Sequence, residues 1–361
     1  MLKLNMRLLR QFYYKNKRMD RLCGSKLWMS IISFIIGYLT HQFIYVIKQE
    51  QVVFFQEENA IHLVKSGSID TFLVILIFSS VGNYNKRQTI RETWASELDG
   101  NKDVRYYFVI SGGMMNKESQ VKIEAEEKKY YDLLIFKNLE DSFYHLTHKI
   151  LASLGWLAGI SVLHDQGIST TLKSFRNFKY VLKCDDDSFV RVNELILELK
   201  NSFPGEKGKN LYWGFFNGHA KVQKTGKYKE KEWNICDFYI PYALGGGYVL
   251  SDSLVHFIAK NGNLLKMYKS EDISVAAWLA TYNDINKVHE PRFDTEYISR
   301  GCHNSYLVTH KHSEIAMKTF HNNLKTNGVL CQKEYRTRLS YVYNWQVPPS
   351  KCCARNNPNI P

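Results

Sequence analysis

The chain contains no Cys-x-x-Cys and no His-x-x-x-His spacing, which removes the usual frames for a zinc site. Asn-x-Ser/Thr, the acceptor for N-linked glycans, is also missing. Formal charge is absent from 21 consecutive residues, Leu27 to Ile47, a stretch about long enough to cross a ~30 Å hydrocarbon layer as a helix. His41, Gln42 and Phe43 supply no small-residue cleavage site there, so the stretch reads as a retained anchor and not as a removable signal peptide. Disorder is excluded by composition: 361 residues with 45% hydrophobic and 14% aromatic content can bury a large core.

A net charge of +13 suggests nucleic acid until its distribution is counted. Residues 1–26 hold eight Lys or Arg against one Asp, so about half of the excess is a basic tail in front of the apolar stretch. The positive-inside rule then puts the tail in the cytosol and everything after Lys48 on the lumenal side. Four regions follow: a cytosolic tail at 1–26, a transmembrane signal anchor at 27–47, a stem at 48–69 and a lumenal domain at 70–361. Six of the seven cysteines fall in the lumenal part, where disulfides persist. Their pairing stays open. Adjacent Cys352 and Cys353 are expected to seek distant partners, and Cys184, inside an apolar run, is expected to be a buried free thiol.

From Asp70 onward apolar β-branched runs alternate with helical spacing. "TFLVILIFSS", "VRYYFVIS", "DLLIF" and "KYVLKC" read as strands. "NKRQTIRETWASEL", "NKESQVKIEAEEKKYY" and "YHLTHKILASLGWLAGISVLH" read as helices. This is an α/β pattern with a largely parallel central sheet, which binds ligands outside the carboxyl ends of its strands. At one such end stand Asp185, Asp186 and Asp187. In an extended chain Asp185 and Asp187 share a face while Asp186 points away, so a divalent cation would relieve the repulsion of the pair. An acidic turn ahead of a helix near Val192 explains the cluster equally well.

Other stretches bear on that choice. Arg87 and Arg91, four apart, share a helix face that can meet a phosphate or a base, or can be ion-paired. Gly245 to Gly247 permit either close approach of a ligand or a tight bend. Glu271 and Asp272 stand at the mouth of an apolar helix, as cap or general base. His310 follows an apolar run, where an isolated imidazole is usually structural. The lysine-rich "KVQKTGKYKEK", Lys221 to Lys231, reads as a solvated loop or as a surface that attracts acidic residues.

In this order, from Asp70 to Pro361, the stretches resemble the inverting β1,3-glycosyltransferases related to fringe. The likeness tightens on "LYWGFF", "CDFYIPYALGGGYVLS", "PRFDTEYISRGC", "YLVTHK", "RLSYVYNW" and "PPSKCC". The resemblance implies a GT-A type nucleotide-sugar fold, UDP-galactose as donor, Mn²⁺ as cofactor and residence in the Golgi. It implies as acceptor the glycosaminoglycan linkage glycan of proteoglycan core proteins. The alternative is a sibling β1,3-galactosyl- or N-acetylglucosaminyltransferase with another acceptor. Carried over by position, Asp187 and His310 ligate the metal and Asp185 faces the ribose or uridine. Arg87, Arg91 and Lys149 lie beside the nucleotide, and Asp186, Gly246 and Gly247 belong to the same donor pocket. Asp272 is the base, with Glu271 as second choice. Where relatives carry Tyr, a glycosylated Asn and Gly, this chain has Phe143, His145 and Ala276.

Overall fold

The computed structural model describes residues 71–163 and 177–361. The expected tail, transmembrane anchor and stem, 1–69, lie outside the described residues. Among the described residues no helix is long and apolar enough to cross a membrane.

The first strand, β1 (Thr71–Ser79), is a continuous run of apolar side chains because both of its faces are covered. It pairs in parallel with β2 (Val104–Gly113) on one side and β4 (Phe178–Asp185) on the other, and β2 pairs in parallel with β3 (Leu133–Glu140). Helices α1 (Tyr84–Glu92), α2 (Lys117–Tyr130) and α3 (Leu146–Ala158) follow β1, β2 and β3 in turn. Asn116 caps α2 by accepting from Ser119 N–H. After the two-residue β5 (Phe189–Val190) and α4 (Val192–Ser202), the sheet is extended by β6 (Leu211–Asn217), β7 (Tyr242–Ser251) and β8 (Asn286–His289). The strand order is β3-β2-β1-β4-β7-β6-β8. Only β7 runs against its neighbours, so the sheet is mixed but largely parallel. Helices α5 (Asp252–Asn261) and α6 (Glu271–Leu279) follow β7, and α7 (Glu314–Asn327) follows the small strands β9 (Phe293–Asp294), β10 (Gly301–Cys302) and β11 (Val308–Thr309).

Two helices are shorter than their spacing suggests. The run expected to be helical through Leu98 breaks at Thr93, whose hydroxyl donates to Thr89 O and whose N–H donates to Ile90 O; a 3₁₀ turn, Trp94–Leu98, follows. α3 stops at Ala158 because Gly159 takes the left-handed conformation (φ 68°) that closes a helix C-terminus.

The cysteines correct one expectation. Cys352 and Cys353 pair with each other, their Cα atoms 3.8 Å apart, and do not reach distant partners. Cys302 and Cys331 form the second disulfide among the described residues, while Cys184, enclosed in β4, and Cys236, exposed on the β6–β7 loop, are free thiols.

Candidate active site

β4 ends at Asp185, beside the end of β1, and the next two acids diverge as extended geometry requires. Asp186 turns toward β1: its carboxylate accepts from Ser79 Oγ and Asn83 Nδ2, both at 2.8 Å, and pairs with Lys86 at 3.2 Å. Asp185 and Asp187 turn the other way, to His310. The register of β11 on β5, Thr309 opposite Phe189, delivers that imidazole next to Ser188. His310 Nδ1 lies 3.0 Å from Ser188 Oγ and 2.9 Å from Asp187 Oδ1, while Nε2 lies 3.8 Å from Asp185 Oδ2. Donor atoms of Asp185, Asp187 and His310 all fall within 4.8 Å of one another.

Two carboxylates and one imidazole, all hard or borderline donors, suit a divalent cation such as Mn²⁺. A second feature of the cluster fits the same ion: Asp187 Oδ1 is buried and, although close to His310, lacks a well-aligned hydrogen-bond donor. Burial alone would push the Asp187 carboxyl up. Contact with His310 and the nearby charges of Lys86 and Lys311 outweigh it and hold the group down at about 2.

The three glycines of β7 make this assembly possible. They form neither a tight bend nor positive-φ turns; they let other parts of the protein come close. A Cβ on Gly246 would stand 2.7 Å from His310 Cγ, one on Gly247 2.8 Å from Val308 Cγ1, and one on Gly245 2.9 Å from Glu271 Oε1.

α6 brings in the second pair of acids, and the structure separates their environments. Glu271 is buried: Tyr248 OH donates to its Oε2 at 3.0 Å and Lys183 Nζ sits 2.5 Å from Oε1. Burial, joined by the charge of Asp272, pushes its carboxyl up to about 7 despite Lys183. Asp272 is half-buried and reaches the cavity; Gly245 N–H donates to Oδ2 at 3.1 Å and Ile273 N–H to Oδ1 at 2.9 Å. Enclosure raises its pKa above the ordinary aspartate value. Asp185, Lys183, His310, Glu271, Asp272, Gly245 and Gly246 all line one cavity of about 720 Å³, walled further on by Tyr239 and Tyr242.

Lys183 was not singled out by the sequence. Its ammonium group is fully enclosed, bonds Asp185 Oδ1 (2.8 Å) and Gly245 O (2.7 Å), and touches Glu271, so it ties the metal-type cluster to the base-type pair. The only signal was a lysine flanked by apolar residues, Leu182 and Cys184, within the strand.

Three expected donor-site residues face elsewhere. All five N–H donors of Arg87 are used, on Glu126, Ser79 Oγ, Ser80 O and Val81 O, so none is left for a nucleotide. Arg91 clamps Glu126 and Asp132 and stacks on the Tyr130 ring at 3.9 Å. Buried Lys149 donates to Ser79 O at 2.7 Å, and burial lowers its pKa to about 8. Arg87 and Lys149 hold the 79–81 segment at the tip of β1 and Arg91 ties Glu126 to Asp132; in this structure none of the three lines the cavity that holds Asp272.

Known proteins give the same direction as this geometry. Residues 85–291 match the family model described as Galactosyltransferase. The chain is 41% identical over 286 residues to Beta-1,3-galactosyltransferase 6 of Mus musculus, covering 79% of this chain and 83% of that one. It is 28% identical to a hydroxyproline O-galactosyltransferase of Arabidopsis thaliana, covering 70% of this chain but only 35% of that longer protein. A Beta-1,3-galactosyltransferase of Arabidopsis thaliana is 26% identical, with 73% and 39% covered. The chain therefore belongs to the galactosyltransferase family and is a glycosyltransferase, and its similarity to the mouse protein over most of both chains supports β-1,3-galactosyltransferase activity.

Proposed function

We propose that the protein transfers galactose from UDP-galactose, with inversion and in β1,3 linkage, to the Gal-β1,4-Xyl disaccharide on a serine of a proteoglycan core protein. That is the reaction of a galactosylxylosylprotein 3-β-galactosyltransferase, which builds the glycosaminoglycan linkage region. The observation that carries the reading is the clustering of Asp185, Asp187 and His310 within 4.8 Å of one another, with Asp185 and His310 on the wall of the cavity that also holds Asp272.

Asp185, Asp187 and His310 would hold a divalent cation, taken to be Mn²⁺. When bound, that ion supplies charge neutralisation for a departing nucleoside diphosphate. Asp272 takes the proton of the attacking acceptor hydroxyl; its oxygens are fixed by Gly245 and Ile273 N–H groups, and its raised pKa makes it a stronger base than a solvated aspartate. Glu271 is less suited, because both its oxygens are engaged by Tyr248 and Lys183. Lys183 keeps Asp185 and Gly245 in register. Tyr239 and Tyr242 offer aromatic walls to a sugar. The reading extends to residence in the Golgi membrane, with residues 27–47 as a type II anchor and the catalytic part lumenal. The basic tail and the two disulfides support it.

The test is a panel of UDP-galactose, UDP-N-acetylglucosamine and UDP-N-acetylgalactosamine against galactosyl-xylosyl and other β-galactoside acceptors, read by linkage analysis. Galactose in β1,3 linkage on the galactosyl-xylosyl acceptor is expected. Preference for another donor or acceptor would replace this reading with a sibling transferase.

A further inference from the structure

Part of the cavity rim carries charge that the proposed transfer does not use. The loop joining β6 to β7 holds Lys221, Lys224, Lys227, Lys229 and Lys231, all exposed. It is an ordered ledge: buried Val222, Trp233 and Tyr239 root it, and Tyr239 N–H donates to Ala220 O and Glu230 N–H to Gln223 O. Its acids are mostly consumed internally. Glu230 accepts from the N–H groups of Glu232 and Lys269, and Glu232 pairs with Lys266, which leaves Asp237 as the loop's one unengaged carboxylate. None of the five lysines makes an ion pair among the described residues.

The ledge is continuous with the site. Lys221, Gln223, Tyr228, Phe143 and Lys311 line the same cavity as Asp272. Lys227 Nζ rests 4.9 Å from the Phe143 ring, which meets Tyr228 edge-on at 5.1 Å, and Lys269 Nζ rests 4.2 Å from the exposed Tyr144 ring. Cations are thus held on aromatic supports next to the mouth of the cavity.

We propose that this ledge binds the peptide part of the acceptor and selects peptides with carboxylates flanking the glycosylated residue. The inference rests on the transfer proposed above, since it concerns what the acceptor sugar is attached to. A peptide is favoured over a lipid surface because Lys221 shares the cavity with Asp272. Whatever engages the ledge is therefore within reach of whatever fills the site, as an aglycone is of its own sugar. Several screened surface charges acting together on a bound acceptor lower its apparent KM and speed its encounter.

The test uses the full chain and one acceptor disaccharide in three forms: on a peptide with flanking Glu, on the same peptide with Gln instead, and as a methyl glycoside. For the wild type, KM on the Glu peptide is expected about five- to tenfold below that on the Gln peptide at low salt, as several weak surface pairs would give, and the gap closes as salt is raised. The combined variant Lys224→Gln/Lys229→Gln/Lys231→Gln, outside the cavity lining, loses that gap and keeps wild-type kinetics on the methyl glycoside. Equal KM values for the two peptides overturn the proposal, as does an equal loss on all three acceptors, which would mean damage to the fold. Wild-type binding to phosphatidylserine vesicles that the triple variant loses, without a peptide preference, overturns it in favour of a membrane contact. Turnover of the methyl glycoside without peptide preference removes the ledge and leaves the transfer standing; no transfer to any acceptor removes both.

Discussion

Two groups of charged residues flank the end of β1, and they are built on opposite principles. In the clamp of Arg87, Arg91, Glu126 and Asp132, two cations meet two carboxylates at 2.7–2.8 Å, and the guanidinium of Arg87 has no donor to spare. In the cluster of Asp185, Asp187 and His310, the one ammonium in contact, Lys183, is shared with Glu271, and the buried Asp187 Oδ1 is left without an aligned donor. In the first, every carboxylate is matched by a guanidinium and only Arg91 Nη1 lacks a hydrogen-bond partner, so the group serves the fold. The second leaves an unbonded carboxylate oxygen among donors that a divalent cation would suit, which is the kind of imbalance a bound ion relieves.

The contrast can be broken by substitutions in each group. The largest effects are expected in turnover: Asp272→Asn should lower kcat by about 10²–10⁴-fold, with thermal stability and UDP affinity retained. Near-normal turnover in that variant would remove Asp272 from the mechanism. Next, Glu126→Ala should destabilise the fold by about 3–5 kcal/mol in urea unfolding, because two buried guanidinium groups lose their partner. Asp187→Ala should cost little or no stability while abolishing transfer. If the two substitutions had the same profile, the distinction would fall. A smaller loss, about 1–3 kcal/mol, is expected for Gly246→Ala, whose methyl group collides with His310; weakened Mn²⁺ binding by titration calorimetry should accompany it.

The smallest effect is in acid. Burial would raise the Glu126 carboxyl, but Arg87 and Arg91 outweigh it, and the folded-state pKa lies below the ordinary value of 4.5. The clamp's contribution is therefore complete above that value and is lost as pH falls from it toward the depressed folded pKa. Unfolding free energies measured from pH 7 to pH 3 should fall less steeply in Glu126→Gln than in the wild type; equal slopes would mean that the clamp is not what acid releases.

Much of this was legible in the sequence because it is local. The runs that became β1 to β4 are uninterrupted, Asp185–Asp187 follow a strand, and Asp272 opens an apolar helix. What was not legible depends on partners distant along the chain. Arg87 and Arg91 have the spacing of a phosphate site, yet Glu126, 39 residues from Arg87, decides their role. The three glycines suggest a bend or a ligand, whereas His310, Glu271 and Val308 require the missing side chains. Lys183 looked like one polar residue in a strand until β7 and α6 packed Gly245 and Glu271 around it. The pairing of Cys352 with Cys353 is likewise not shown by spacing, since adjacent cysteines suggest distant partners.

The central claim is that the two aspartates and the histidine at the strand tip hold a divalent cation on which donor cleavage depends. The direct measurement is galactose transfer from UDP-galactose by purified protein after exhaustive chelation, followed by readdition of Mn²⁺. The account predicts that transfer disappears and then returns for the wild type, and that it does not return for Asp187→Ala. Undiminished transfer by the chelated protein would contradict it.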